Sequence, residues 1–521
     1  MKRRKGPTEK SRRDAPAPPA QRAGPRLWHY ALGLAAALLI LFEVYQPALR
    51  GPFVFDDQYL PFAVPEAAQQ PFSQWVAGVR PLLMATFWAN YRFSEMEPYS
   101  YHLFNLLFHW VSGFLVFLVV RRLLERAGTQ GAMREILAAF AAALFLLHPV
   151  QTESVAYVAS RSETLSVMFF HGALALFLYR RREAVSWPVA AGVILLFGTA
   201  VSTKEHTAVL PALLLGTDYF FGPGSGLQRI RRNWRLYVPM AAAGALALKW
   251  VWNVLRASDS AGFRLEEFTW HEYFFTQCRV IWTYVRLFFA PYGQTIDYDL
   301  APSRGLLEHG ALLGLAALLA LAAAAFLLRR RYPLASYGVF AFLLLLAPTS
   351  SLVAIADPIA ERRLYLPIFG LLLVVVEFLR RWKARPLGLA AVLAGVVLVA
   401  GLLSYHRNKV WASDVALFED AVAKSPRKYR VQFQLGFAYF KTGDCAGAAR
   451  HYEAAARLST PDYRLYYNWA LANACLGRSA EARQKLLATL EDCRRQLSRD
   501  PHNHAARQVL RMAEERLGLA R

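Results

Sequence analysis

Cysteine is scarce in this chain: four in 521 residues (Cys278, Cys445, Cys475 and Cys493), with no CxxC pair. That spacing indicates neither a zinc site nor a disulfide framework. Acidic residues are also few, 37 against 60 Lys and Arg, which gives a formal charge of +23. Such an excess can signal nucleic-acid binding. However, zinc-finger spacing and basic–aromatic single-strand motifs are both missing, and the basic residues stand at the ends of apolar runs. No small-residue cleavage site of the usual kind follows the first run, 27–45. That run is also too long for a signal-peptide core, so it reads as a retained span. What the chain has in quantity is apolar sequence, 55% hydrophobic and 14% aromatic. It comes in runs of about 15–22 residues, the length a helix needs to cross a bilayer. These features predict an all-α, polytopic membrane protein with a helical, charged carboxy-terminal part.

Spans are expected at 27–45, 101–120, 136–148, 164–179, 187–201, 207–221, 236–255, 310–328, 333–352, 365–379 and 387–403. The basic clusters at Arg121-Arg122, Arg180 to Arg182, Arg229 to Arg235, Arg329 to Arg331 and Arg380 to Arg385 join the Pro- and Ala-rich basic tail 1–26 in marking the cytoplasmic face. The tail itself reads as disordered. One more apolar segment, 273–290, would invert that parity if it crossed. It carries Arg279 and Arg286 on one helical face and is expected to lie in the outer interface. The result is about 11 spans, with the amino end inside and the carboxy end outside.

Three parts follow: the tail 1–26, a membrane part 27–404 whose first outer loop is 46–100, and a carboxy-terminal part 405–521. The last shows a period of about 34 residues. Leu435-Gly436, Tyr439, Gly443, Ala448, Tyr452 and Ala455 are echoed by Trp469-Ala470, Gly477, Ala482 and Leu486. This is the tetratricopeptide pattern, in which small residues sit where paired helices cross and large ones where they interlock.

The unusual charges all fall on the outer side. The first outer loop carries Asp56, Asp57 and Arg80, and His102 follows it. His148, Glu153 and Arg161 lie between the third and fourth spans, and Lys204 and Glu205 between the fifth and sixth. Asp297, Asp299, Glu361, Arg362 and Arg363 complete the set. Singly, each reads equally well as a helix end, a topological anchor or a solvated turn. Together, with both signs of charge, they suit transfer of a sugar from a lipid phosphate. Lys204, Arg161, Arg362 and Arg363 are candidates to hold the phosphate and stabilise it as it leaves. Asp56 or Asp57 would take the proton of an attacking hydroxyl, and direct attack inverts the anomeric centre. Asp56 is the favoured base, because the apolar Phe53-Val54-Phe55 run precedes it. Tyr59, Trp75, Tyr99 and Tyr101 are candidates to pack on sugar or polyprenyl groups.

Several ordered motifs carry a resemblance. They are Phe-Asp-Asp at 55–57, Arg80-Pro-Leu, Tyr101-His-Leu-Phe-Asn with His109, His148-Pro-Val-Gln-Thr-Glu, Lys204-Glu205, Asp297-Tyr-Asp and Ala360-Glu-Arg-Arg-Leu-Tyr-Leu-Pro. The chain resembles the transmembrane-and-tetratricopeptide O-mannosyltransferases, within the GT-C superfamily of glycosyltransferases. The resemblance implies a polyprenyl- or dolichyl-phosphate donor of mannose or another hexose. It also implies a catalytic carboxylate in the first outer loop and donor-binding cations at Lys204 and Arg362 or Arg363. Metal is not carried over, and no metal ligands are expected. The repeat part is shorter than in the animal enzymes and the composition looks bacterial, so the expected setting is the bacterial inner membrane, with the repeats outside.

Three readings compete. In the first, the repeats present a protein Ser or Thr to the transferase, or the acceptor is instead an envelope glycan or lipid. In the second, the chain is a non-enzymatic scaffold. In the third it is a transporter, which would place polar sites near mid-bilayer in repeated halves. The outer position of the charges and the lack of internal symmetry argue against the third.

Overall fold

The computed structural model describes residues 27–180, 183–222, 226–257 and 269–519. The tail 1–26 lies outside the described residues. Each of the eleven apolar segments falls in a helix: Leu27–Tyr45, Pro98–Arg126, Gly131–Leu147, Arg161–Leu178, Trp187–Val201, Leu210–Phe221, Trp234–Ala257, Ala311–Leu328, Pro333–Leu346, Ile368–Leu379 and Pro386–Val410. No strand occurs among the described residues. Four helices are long and apolar enough to cross a membrane: Leu27–Ala48, Pro98–Arg126, Glu308–Leu328 and Pro386–Val410. A fifth candidate is a pair bent by 48° at Pro149. The protein is therefore an integral membrane protein.

Proline marks many helix ends. Pro81, Pro98, Pro333 and Pro386 each open a helix, where the missing N–H costs nothing. The segment expected at 333–352 stops at Leu346, just before Pro348, which cannot continue it. Pro333–Leu346 and Ile368–Leu379 meet at Gly338 and Gly370. A Cβ on either would lie within 2.5 Å of the other's carbonyl oxygen, so only glycine allows the backbones to come this close.

The segment 273–290 forms the amphipathic helix Trp270–Phe289. Tyr273, Gln277, Ile281 and Tyr284 are buried on one face, while Arg279 and Arg286 donate to the carbonyls of Ala301 and Tyr292.

The last apolar helix, Pro386–Val410, runs through position 404 and turns at Trp411. Six helices follow, Asp414–Lys424, Tyr429–Lys441, Cys445–Leu458, Tyr463–Cys475, Ser479–Arg499 and His504–Arg516, each packed on the next. Ser413, Asp444, Asp462 and Asn503 cap four of them by accepting a backbone N–H three residues on. Ala448, Tyr452, Ala455, Leu465 and Ala472 form one of the buried clusters between them.

One expectation is corrected here. Cys445 and Cys475 form a disulfide. It ties the start of one helix to the end of the next, across 30 residues, a pairing that exists only once the two helices fold back on each other. Closing a loop of that length should stabilise this part by about 3–4 kcal/mol. Replacing both cysteines with serine is expected to lower its denaturation midpoint in the full chain by a matching amount. Equal midpoints would show that the bridge carries no stability.

Candidate functional site

The loop after the first helix is held from beneath. Gly51 sits so close to the carbonyl of Trp411 that a Cβ would lie 2.4 Å from its oxygen. The chain then runs to a short turn, Phe55–Tyr59, entered through Phe55 at φ +46°. That left-handed conformation is rare for a bulky residue. It presents the two aspartates differently. Asp57 is fully buried and accepts from the N–H groups of Val54 (3.0 Å) and Ala159 (2.6 Å), one on each carboxyl oxygen. Burial pushes its carboxyl up to about 8, against the pull of those N–H groups. Asp56 is exposed, and its backbone N–H donates to the hydroxyl of Tyr157 at 2.9 Å. Its carboxylate has no hydrogen-bond partner among the described residues and lies within electrostatic reach of Arg80.

Around it three other segments converge. Arg80, just before the Pro81–Ser94 helix, makes two parallel hydrogen bonds of 3.0 Å to Glu205. Lys204 donates to Glu163 at 2.5 Å and to the Ser162 hydroxyl at 3.3 Å. His206 faces the other Glu163 oxygen at 3.4 Å. Arg362 pairs with the buried Glu153 at 2.5 Å through Nη1, and its own backbone N–H binds the second oxygen at 3.1 Å. The bend after His148 puts Glu153 there, in the short Thr152–Ala156 helix. Burial pulls the Lys204 ammonium and the His206 imidazole below their ordinary values, while Glu163 opposes the change. Burial resists ionisation of Glu205 as well, but Arg80 outweighs it and holds the carboxyl below its usual range. Lys204 feels both Arg80 and Arg362, so the three cations form one positive focus. Nη1 of Arg80 and Nε and Nη2 of Arg362 have no hydrogen-bond partner among the described residues.

The remaining candidates are placed elsewhere. Arg161 is fully buried and points inward. It donates to Asn105 Oδ1 (2.9 Å) and to the carbonyls of Tyr101 (3.0 Å) and Thr86 (3.3 Å), and it lies over the Phe87 ring. Arg161 thus joins the helices that carry Thr86, Tyr101 and Asn105 beneath the first loop. Arg363 is spent on the carbonyls of Asp357 and Pro358 and on the Tyr273 hydroxyl. Glu361 accepts from Gln294, the Thr295 N–H and the Tyr298 hydroxyl, and burial raises its carboxyl to about 7. His102 binds the Gly51 carbonyl and His148 that of Phe288. Asp297 and Asp299 pair instead with the connection between the first two carboxy-terminal helices and the start of the second: Asp297 with Lys428 and Arg430, Asp299 with Arg427. Of the aromatic residues, Trp75 and Tyr101 are core members beside Phe62, Phe87 and Val158, whereas Tyr59 is exposed.

The sequence reading left Glu163, His206 and Tyr157 off its list of site residues. The first two had a signal. Glu163 ends the stretch that carries Arg161, and His206 directly follows Lys204-Glu205. Tyr157 had none, because a tyrosine in an outer loop reads equally as an interfacial anchor. Among the described residues no cluster of three or more His, Cys, Asp or Glu side chains is arranged to hold a metal ion.

No protein-family model matches the chain. A protein O-mannosyl-transferase of Caenorhabditis elegans is 24% identical over 461 residues, covering 82% of this chain and 63% of the relative. A protein O-mannosyl-transferase of Homo sapiens is 33% identical over 150 residues, 28% of this chain and 15% of the relative. One from Drosophila melanogaster is 32% identical over 207 residues, 35% of this chain and 22% of the relative. The chain thus spans less than two thirds of the length of these relatives. Among solved structures, the crystal structure of ArnT from Cupriavidus metallidurans bound to undecaprenyl phosphate aligns with 89% of this chain and 80% of its own. The identity there is 16% and the TM-score 0.37. The chain is thus similar over most of its length to one protein O-mannosyl-transferase and over shorter stretches to others.

Proposed function

We propose that the protein is a membrane glycosyltransferase that moves mannose or another hexose from a polyprenyl phosphate to a protein Ser or Thr hydroxyl. The observation that carries this reading is one exposed carboxylate, Asp56, with no hydrogen-bond partner among the described residues and within electrostatic reach of Arg80, which clusters with Lys204 and Arg362. The acceptor hydroxyl gives its proton to Asp56 as its oxygen attacks C1 of the sugar. The bond from C1 to the phosphate oxygen breaks, and the electron pair leaves with the polyprenyl phosphate. Lys204 and the unpartnered N–H groups of Arg80 and Arg362 stabilise the charge that develops there. Glu163, Glu205 and Glu153 hold these cations in place between turnovers. Attack from the face opposite the phosphate inverts the anomeric centre. The names of the relatives support sugar transfer to protein, as do helical repeats suited to holding a peptide.

The membrane part would end near Val410 and the tetratricopeptide array begin at Ser413, with about 11 spans, the amino end cytoplasmic and the array outside. The Cys445–Cys475 bridge supports this orientation, because disulfides persist in oxidising compartments. Mass spectrometry of envelope and secreted proteins from cells with and without the gene tests the reading. Hexose lost from defined Ser or Thr peptides supports it. An unchanged glycopeptide profile, with changed glycolipids, would move the acceptor to a glycan or lipid. No change in either would leave the scaffold reading.

A further inference from the structure

The two residues that fix the backbone of Asp56 both lean on the carboxy-terminal helices. Phe55, at φ +46°, directly precedes it. A bulky residue stays in that region only where its surroundings hold it. Its ring lies between Tyr157, edge-on at 6.4 Å, and Phe418 of the Asp414–Lys424 helix, edge-on at 5.2 Å. Phe418 is itself buried and clusters with Leu435 and Ala438 of the next helix. Tyr157, whose hydroxyl accepts the Asp56 N–H, stacks on Trp411 at 6.2 Å. Trp411 and Leu417 are buried in one cluster with Val54 and Tyr157, and Phe55 packs against it.

The helices are also fixed from the side. Arg430 pairs with both Asp297 and Asp357 at 2.8 Å, Lys428 with Asp297 at 3.2 Å, and Arg407 with Asp420 at 2.7 Å. The first helix of the array is therefore tied to the last apolar helix and the start of the second to Asp297 and Asp357, with one aromatic edge inserted under the loop that carries Asp56. An array that only recruited an acceptor would need a tether and no such contact.

We propose that Phe418 and Trp411 are positioning residues for Asp56: through Phe55 and Tyr157 they hold the first outer loop in the conformation that aims its carboxylate at the site. This rests on the reading of Asp56 as the base. The array is then part of the transferase and is needed even for an acceptor too short to reach its groove.

The test is a double-mutant cycle on the full chain in lipid nanodiscs, with polyprenyl-phosphate mannose and a short Ser/Thr peptide. Phe55→Ala and Phe418→Ala are each expected to lower kcat by roughly tenfold or more, with the donor KM within about twofold of the parent. The double variant is expected to be no worse than the weaker single one, since both break the same contact. Hydrogen exchange, measured with no substrate present, should accelerate at amides 54–60 in Phe418→Ala while the Tyr429–Lys441 helix stays protected. Phe55→Ala leaves the array whole, so its kcat stays decisive even if Phe418→Ala loosens the repeats. Losses that multiply in the double variant, a normal kcat in Phe55→Ala, or unchanged exchange at 54–60 would each overturn the proposal. A parent protein that transfers no sugar would instead sink the transferase reading, and the exchange measurement would still decide whether the array holds the loop.

Discussion

Asp56→Asn is expected to lower sugar transfer by about 10²–10⁴-fold, the usual worth of a positioned general base, with the donor KM unchanged and the protein fully folded. The exposed carboxylate forms no hydrogen bond among the described residues, so the amide leaves no partner stranded. Only the capacity to take a proton is lost. Asp57→Asn should behave differently. Each Asp57 oxygen accepts a backbone N–H, so turning one into an NH₂ sets donor against donor. That conflict costs about 1–3 kcal/mol in a buried site. It should appear as a less stable loop and a partial loss of transfer, in contrast to the near-complete loss in Asp56→Asn. The denaturation midpoint separates the two: Asp56→Asn should match the parent, and Asp57→Asn should fall below it. If Asp57→Asn were the inactive, well-folded variant, the roles of the two aspartates would be reversed.

The second large effect belongs to the cations. Lys204→Ala removes the residue between Glu163 and the proposed phosphate position. It is expected to raise the donor KM and lower kcat together, with kcat/KM down by about 10²-fold or more. Lys204→Arg should recover part of the activity, since it restores charge without the geometry of an ammonium. Arg362→Ala should act on transfer in the same way but also destabilise the protein, because Glu153 is only 2% exposed on its side chain. Breaking a buried pair by removing one partner costs about 3–5 kcal/mol. Arg161→Ala is the contrast: its guanidinium is enclosed under the first loop, so it should unsettle the fold with no selective change in donor KM. Unchanged donor kinetics in Lys204→Ala would remove the phosphate assignment.

The helices were legible because a helix that faces lipid must be apolar along its whole length. The bounds 27–45 and 187–201 agree with the observed helices to the residue. Misplaced ends have local causes. The segment expected from 207 starts at Leu210, because Glu205–Val209 forms a tighter turn first. At the site, residue types were legible but partnerships were not. Lys204 and Glu163 are 41 residues apart, Arg362 and Glu153 209 apart, and no local pattern records such pairings. For the same reason Arg161 read as a ligand. An arginine in a loop looks the same in sequence whether it meets phosphate or backbone and side-chain oxygens of its own protein. Asp297 and Asp299 were noticed for their charge, and their partners Lys428, Arg430 and Arg427 lie on a part of the chain that looked independent. The disulfide was invisible for a related cause, since Cys445 and Cys475 meet only through the packing of successive helices.

The central claim, that this chain itself moves a hexose off a polyprenyl phosphate, is tested most directly by a reconstituted transfer assay. The purified full-length protein in nanodiscs is mixed with mannose-labelled polyprenyl phosphate and a Ser/Thr-rich peptide, and the glycopeptide is followed by mass spectrometry and anomeric NMR. The account predicts a glycopeptide of inverted anomeric configuration from the parent protein and none above background from Asp56→Asn. Label that stays on the lipid with the parent protein, or equal transfer by parent and Asp56→Asn, would contradict it.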